Sequence, residues 1–229
     1  MKKLISLLAL VAIATATFAQ SAADLAKQQR EQNKAYMKLV NMKPSKTAKK
    51  QAKEYKKQGW EVPAGENSLE VQFTKSQLYG EELMTDEEGN TTNRYYQHTG
   101  SSVAGAYNTA FAAARAYTLG EVASMIRTQL VAAWQANNDN AQADASAITT
   151  DEQFNQRMKA IVDESITNYI PTVKMFRRVG NNIEVMVRLA FDKKELSARL
   201  KRNIKKELKE EGDEKLNGVV DELINQKLQ

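Results

Sequence analysis

The chain has 229 residues, of which 42% are hydrophobic and 27% are charged, with 33 Lys and Arg against 28 Asp and Glu. This composition is typical of globular proteins and excludes the disordered, collagen-like and disulfide-rich classes. The sequence contains no cysteine and one histidine. It therefore excludes disulfides, thiol catalysis, cysteine-ligated metals and a multi-histidine metal site within one chain.

The first twenty residues have the layout of a bacterial secretory signal peptide. Two lysines at the start precede an apolar run over residues 4–16, and the small residues that end at Ala19 resemble a cleavage site. The run is shorter than the roughly 20 apolar residues that a membrane-spanning helix needs. We therefore expect residues 1–19 to be removed and the remainder to be exported, without spanning a membrane, to the periplasm or cell envelope.

Charge is segregated in the next part of the chain. Residues 20–60 carry 11 basic and 3 acidic side chains, whereas residues 61–95 carry 2 basic and 8 acidic ones. The pattern predicts a basic helical segment over 20–60, with helices over 21–42 and 45–58. An acidic connecting segment follows over 61–93. The rest of the chain is near charge balance, so the sequence predicts no nucleic-acid partner.

Five lysines are the most distinctive feature of the basic segment. Their spacing of three and four residues places them on one helical face, and they are Lys46, Lys49, Lys50, Lys53 and Lys57. Such a face is either simply solvated or is an interaction surface for an anionic membrane or an envelope protein. The opposite face offers only Ala48, Ala52 and Tyr55, which is too little apolar surface for a helix that inserts into lipid.

The acidic segment contains a second predicted helix and a turn. Asn67 and Glu70 have capping-box spacing ahead of a stretch that permits a helix to about Met84. An acidic turn follows over residues 85–90, and residues 91–103 are a candidate strand. The spacing of these acids does not match that of a calcium loop, so the sequence predicts no metal site here.

Residues 94–191 are predicted to form an α+β core domain. A long Ala-rich helix is expected over 105–136, and a further helix begins at Thr150 or Asp151 and ends near Tyr169. The strict alternation of Ile183–Phe191, after a strand and the turn Gly180-Asn181-Asn182, predicts a half-buried β-hairpin. The apolar face expected for the Ala-rich helix consists of Ala112, Ala116, Leu119, Ala123, Ile126, Leu130 and Ala133.

A helical hairpin is predicted over the C-terminal residues 192–229. Asp192 and Glu195 form a capping box that opens its first helix, and Gly212 ends that helix. The apolar stripe of the last helix packs either on the chain's own core or on a second chain, and it consists of Leu216, Val219, Val220, Leu223 and Leu228. The fold class is therefore α+β, with a small antiparallel sheet and a late hairpin packed on the Ala-rich helix.

Residues 94–191 resemble the envelope domain family of the twenty-kilodalton Lpp-type surface lipoproteins, a domain that also begins the flagellar outer-membrane T-ring protein. The resemblance is carried by the Ala-rich helix with Ala112 to Ala116, by the helix that ends near Tyr169, and by the hairpin that ends at Phe191. The stretch Gly59-Trp60-Glu61-Val62 is similar to one in uncharacterised exported bacterial proteins. The resemblance implies an envelope location and a non-enzymatic role. The chain departs from the lipoproteins because it has no cysteine to lipidate.

No catalytic constellation is evident, so the sequence predicts neither an enzyme nor a cofactor or metal. A serine nucleophile would have to use His98 as its base, with Ser101 or Ser102 the nearest hydroxyls in sequence. The expected function is that of an exported, non-enzymatic interaction or scaffold component. The alternative is a periplasmic small-ligand binder or hydrolase, whose site would consist of Tyr95, Tyr96, His98 and Arg115.

Overall fold

The computed structural model describes residues 43–85, 89, 91–138, 151–208 and 220. Almost all of them belong to one compact unit that begins at Pro44. The predicted signal peptide, the predicted helix over 21–42 and most of the predicted last helix lie outside the described residues. No helix in the described part of the chain is both long and apolar enough to cross a bilayer.

The described residues form five helices and two antiparallel sheets, which confirms the α+β class. The helices are α1 (Lys46–Lys57), α2 (Leu69–Glu81), α3 (Tyr107–Asn138), α4 (Asp151–Ser165) and α5 (Lys193–Leu208). The strands are β1 (Leu83–Thr85), β2 (Thr91–Asn93), β3 (Tyr95–Ala104), β4 (Ile170–Val179) and β5 (Asn182–Asp192).

The larger sheet has the order β3-β5-β4, with β5 in the centre. Strands β4 and β5 form a hairpin, and Gly180 in its turn has a φ of +60°, a conformation that glycine adopts without steric cost. Gly100 on β3 and Lys174 on β4 both pair with Val187, which fixes the register across the sheet.

Helices cover both faces of this sheet. On one face, β5 packs on α3, α4 and α5 through two apolar clusters that include Val187 and Phe191. On the other face, Val173 and Met175 pack against α1, α2 and Trp60. The alternation predicted for β5 is present, since Val185, Val187 and Leu189 are buried, whereas the alternate residues Glu184, Met186 and Arg188 on the α2 side are half-buried. The polar side chains on that face are hydrogen-bonded to one another, which makes their burial compatible with the alternating pattern.

Two predicted boundaries in the acidic segment are corrected. Helix α2 begins after Ser68 rather than Asn67, and it ends at Glu81, so the next residues are free to form β1. Strand β1 pairs with β2 in a small hairpin that the sequence did not predict. The single strand expected over residues 91–103 is divided at Arg94, whose side chain forms ion pairs with Glu82 and Asp192.

The apolar face predicted for the Ala-rich helix was partly wrong. Ala112 and Ala116 are exposed, whereas Ala110 and Ala114 are completely buried against the sheet. The error arises because alanines surround this part of the helix, so their pattern alone does not specify a face. The buried face is set instead by Gly100, whose missing side chain lets the helix approach β3 closely.

The cap predicted at Asp192 and the buried stripe predicted for α4 are confirmed. The Asp192 carboxylate accepts a hydrogen bond from the Glu195 backbone N–H at 3.1 Å, as expected for a helix cap. Val220, in the predicted last helix, is completely buried in the same cluster as α4 and α5. That residue therefore packs on the chain's own core. The apolar stripe of α4 is buried, and its members are Phe154, Met158, Ile161, Val162 and Ile166.

We predict that Gly100→Ala destabilises the fold by about 1–3 kcal/mol through overpacking. A Cβ atom at this position would lie 2.3 Å from the Thr118 Oγ1 and 3.2 Å from the Ala114 carbonyl oxygen. The matched control is Gly105→Ala, because a Cβ there has no atom within 4 Å. Urea unfolding of both variants measures the difference, and equal midpoints would contradict the close approach of α3.

Candidate functional site

The five lysines predicted as an interaction surface lie together on α1 and are all exposed. On an ideal helix Lys46, Lys49, Lys50, Lys53 and Lys57 occupy an arc of about 100°. None of the ion pairs between described residues includes any of them. We call these five residues the lysine face.

The opposite side of α1 is fixed to the rest of the unit. Ala48 and Ala52 are completely buried, and Tyr55 packs on Trp60 and Phe73 at ring-centroid distances of 6.2 and 5.2 Å. Because Ala48 and Ala52 are buried in this cluster, the lysines on the opposite side of the helix point away from it. Helix α1 therefore exposes its lysines to solvent, and its apolar side cannot rotate towards solvent.

Local contacts set the N-terminus and one flank of α1. The Ser45 side chain accepts a hydrogen bond from the Ala48 N–H at 3.0 Å and so caps the N-terminus. On the flank, the Lys56 ammonium donates to the Glu70 carboxylate at 2.6 Å, and this hydrogen bond lowers the pKa of Glu70. Lys56 thus ties α1 to α2, whereas the lysine face has no such partner among the described residues.

The four residues of the alternative site are divided between two faces of the sheet. Tyr96 and His98 lie on the α3 side, with the Tyr96 hydroxyl 3.3 Å from the His98 Nδ1. Tyr95 lies on the α2 side, where its ring meets that of Tyr79 at 4.6 Å. Arg115 is exposed on α3, with its guanidinium 6.0 Å from the Phe111 ring. The structure therefore brings together only two of the four.

His98 is also not placed to activate its neighbouring serines. Side chains alternate along a strand, so Ser101 points to the opposite face of β3 from His98. Ser102 lies on the same face as His98, but it is four positions further along the strand, which is a distance of about 13 Å. The Tyr96 hydroxyl is half-buried beside Met125, and burial raises its pKa. These contacts describe a packed tyrosine–histidine pair, and no carboxylate is among the hydrogen-bond partners of His98 in the described part of the chain.

Two grooves on the described part of the surface lie elsewhere. One of about 380 Å³ adjoins Trp60 and Ser68, and another of about 310 Å³ separates α3 from α4 beside Ile166. Neither groove is lined by a residue of the alternative site. The described residues also contain no group of three His, Asp or Glu side chains that could hold a metal.

A polar cluster that was not predicted from the sequence lies between α2 and the sheet. The Arg188 guanidinium donates to the Thr99 hydroxyl at 2.9 Å and the Ser76 hydroxyl at 3.0 Å. Ser76 in turn donates to the Gln97 side-chain oxygen at 2.8 Å, and the Gln97 amide donates to the Ser76 carbonyl at 2.8 Å. Desolvation lowers the pKa of Arg188. These hydrogen bonds join α2 to β3 and β5, so the cluster fixes α2 on the sheet.

Comparison with protein-family models, curated proteins and solved structures found no match to this chain. The resemblance to the envelope domain family therefore stays a prediction.

We predict that Gln97→Ala destabilises the protein by about 2 kcal/mol, because the buried Ser76 hydroxyl loses its acceptor and the Ser76 carbonyl loses the Gln97 amide. The control is Gln51→Ala on α1, a half-buried glutamine for which we expect a change within about 0.5 kcal/mol. The measurement is urea unfolding followed by far-ultraviolet circular dichroism. If both variants unfold at the wild-type urea concentration, the cluster does not hold α2.

Proposed function

We propose that this protein is an exported, non-enzymatic component of a bacterial cell envelope that attaches to an anionic membrane surface through the lysine face of α1. The observation that carries the proposal is the arrangement of α1, with Ala48 and Ala52 buried on one side and five exposed lysines on the other. Export is supported by the signal-peptide pattern of residues 1–19.

The chemistry of the lysine face favours a lipid surface. Lysine ammonium groups are compact, strongly hydrated charges on flexible stems, which suit a diffuse anionic surface better than a site that needs fixed, bidentate contacts. Each lysine near an anionic membrane contributes about 1 kcal/mol of attraction. The face is about 16 Å long at the rise of an α-helix, so all five ammonium groups can lie against one flat surface.

The attachment is expected to be peripheral and reversible. An amphipathic helix that inserts into lipid needs an exposed apolar face. The corresponding side of α1 is occupied by Trp60 and Phe73, so insertion would require the helix to leave the core. The attraction is therefore electrostatic, and it weakens as salt shortens the Debye length from about 10 Å at 0.1 M to about 3 Å at 1 M.

The test measures binding to vesicles that contain phosphatidylglycerol, with phosphatidylcholine vesicles for comparison. Replacing Lys49, Lys50 and Lys53 by Glu is expected to weaken binding to the anionic vesicles at least about a hundredfold, since three attractive charges become repulsive. Co-sedimentation at low and high salt provides the measurement, and wild-type binding should disappear at high salt.

The matched control replaces three other exposed basic residues, Arg178, Lys194 and Arg202, by Glu. This variant changes the net charge by the same amount but leaves the lysine face intact, so its binding should stay within a few-fold of wild type. Binding that survives the reversal of the lysine face, or that both variants lose equally, would contradict the proposal. Wild-type binding that is equal on neutral vesicles would do the same.

A further inference from the structure

The two edges of the larger sheet differ in how their outward backbone groups are hydrogen-bonded. At the β4 edge, Glu61 and Phe176 exchange two backbone hydrogen bonds of 2.7 and 2.9 Å. The Gln72 side-chain oxygen accepts from the Lys174 N–H at 2.6 Å, and Pro171 has no N–H to offer. Backbone, side chain and proline thus close this edge against further strands.

The other edge is the outer side of β3, and the register identifies its outward groups. Lys174 and Phe176 point outwards from β4, so the alternate residues of β4 bond to β5. The residues of β5 that bond to β4 alternate with those that bond to β3. By this alternation the backbone N–H and C=O groups of Thr99, Ser101 and Val103 are directed away from β5, towards the open edge. Among the described residues, no backbone hydrogen bond from another strand closes these groups.

This edge also lacks the side chains that usually prevent pairing. Natural edge strands carry lysine, proline or an inward charge. By contrast, no Asp, Glu, Lys or Arg occurs from Tyr95 to Ala114. Two large exposed side chains flank the edge: Val103 is 51% exposed, and Tyr117, which lies against Gly100, is 54% exposed.

We propose that the β3 edge is a dimer interface, at which a second copy of this chain adds its own β3 in antiparallel orientation about a two-fold axis that lies midway between the two Ser101 residues. Thr99 of each copy then lies opposite Val103 of the other, and the two three-stranded sheets become one of six strands. A second copy fits because an uncharged strand meets itself without like-charge repulsion. Residues 99, 101 and 103 supply about six backbone hydrogen bonds across the axis.

The same symmetry has a consequence for the lysine face. An antiparallel pair within one sheet has its two-fold axis perpendicular to the sheet, so equivalent faces of the two copies lie on the same side. Helix α1 belongs to the apolar cluster on the sheet face that carries Met175, and its lysines are exposed on the side of the helix opposite that cluster. Both lysine faces would therefore lie on the same side of the six-stranded sheet. Binding of both faces to one membrane surface would raise the avidity of the dimer for that surface. This consequence rests on the proposed function, whereas the dimer does not.

The first test is sedimentation equilibrium of the protein in the form its host produces. Wild type is expected to be a dimer, and Ser101→Pro is expected to weaken the dimer at least about tenfold. Proline removes only the outward N–H at this position and leaves the bonds to β5 intact. The control Ser101→Ala keeps the N–H and should remain dimeric.

The second test decides the question if the proline variant does not fold. Because the chain has no cysteine, a single one can be introduced without background. Facing residues in a hydrogen-bonded pair have Cα atoms about 5.5 Å apart, within disulfide range. Ser101→Cys should therefore form a disulfide-linked dimer with copper–phenanthroline as oxidant. Val179→Cys, on an exposed residue at the end of β4, should not.

Three results would overturn the interface. They are a wild type that stays monomeric at the highest soluble concentration, a dimer that Ser101→Pro leaves unchanged, and cross-linking at Val179 without cross-linking at Ser101. None of these measurements involves lipid. Failure of the dimer and failure of the vesicle binding are therefore distinguishable.

Discussion

The burial of two alanines, Ala48 and Ala52, is the constraint on which the surface of this protein depends. Both side chains are completely inaccessible, so α1 lies close to Trp60 and Phe73 and cannot rotate about its axis. The lysines on the other side are therefore held outwards by packing rather than by their own repulsion. A free helix of this composition and length would be marginal in water.

The layer beneath α1 is held by two kinds of contact. Apolar side chains join α1, α2 and β4, and the hydrogen-bonded cluster of Ser76, Gln97 and Arg188 joins α2 to β3 and β5. Polar groups that satisfy one another are buried at little net cost, and they specify a single position for the helix. The sheet therefore carries helices on both faces although its central strand alternates.

The α+β class, most of the described helices and the late hairpin were predictable from sequence because each has a strong period or a local cap. Ser45 and Asp192 cap helices through contacts within three residues, and such contacts are visible in sequence. The lysine face was predictable for the same reason, since spacing alone places its members together.

The parts that were missed depend on partners distant in sequence. Arg188 hydrogen-bonds to Ser76, 112 residues away, and nothing local indicates that pairing. The buried face of α3 is determined by its close approach to Gly100 on β3, and the pattern of alanines within α3 contains no information about that contact. The β1–β2 hairpin has strands of three residues, too short for alternation to be a signal. Tyr95 and Tyr96 are adjacent in sequence and were grouped as one site, but strand geometry puts them on opposite faces.

The most direct test of the account is fractionation of the native host, in which the envelope pellet is washed first with low and then with high salt. Electrostatic attachment through α1 predicts that the wild-type protein stays in the pellet at low salt and is released at high salt. The variant with Lys49, Lys50 and Lys53 replaced by Glu should then appear in the soluble fraction from the start. A wild-type protein that is wholly soluble at low salt, or that stays in the pellet at high salt, would contradict the account.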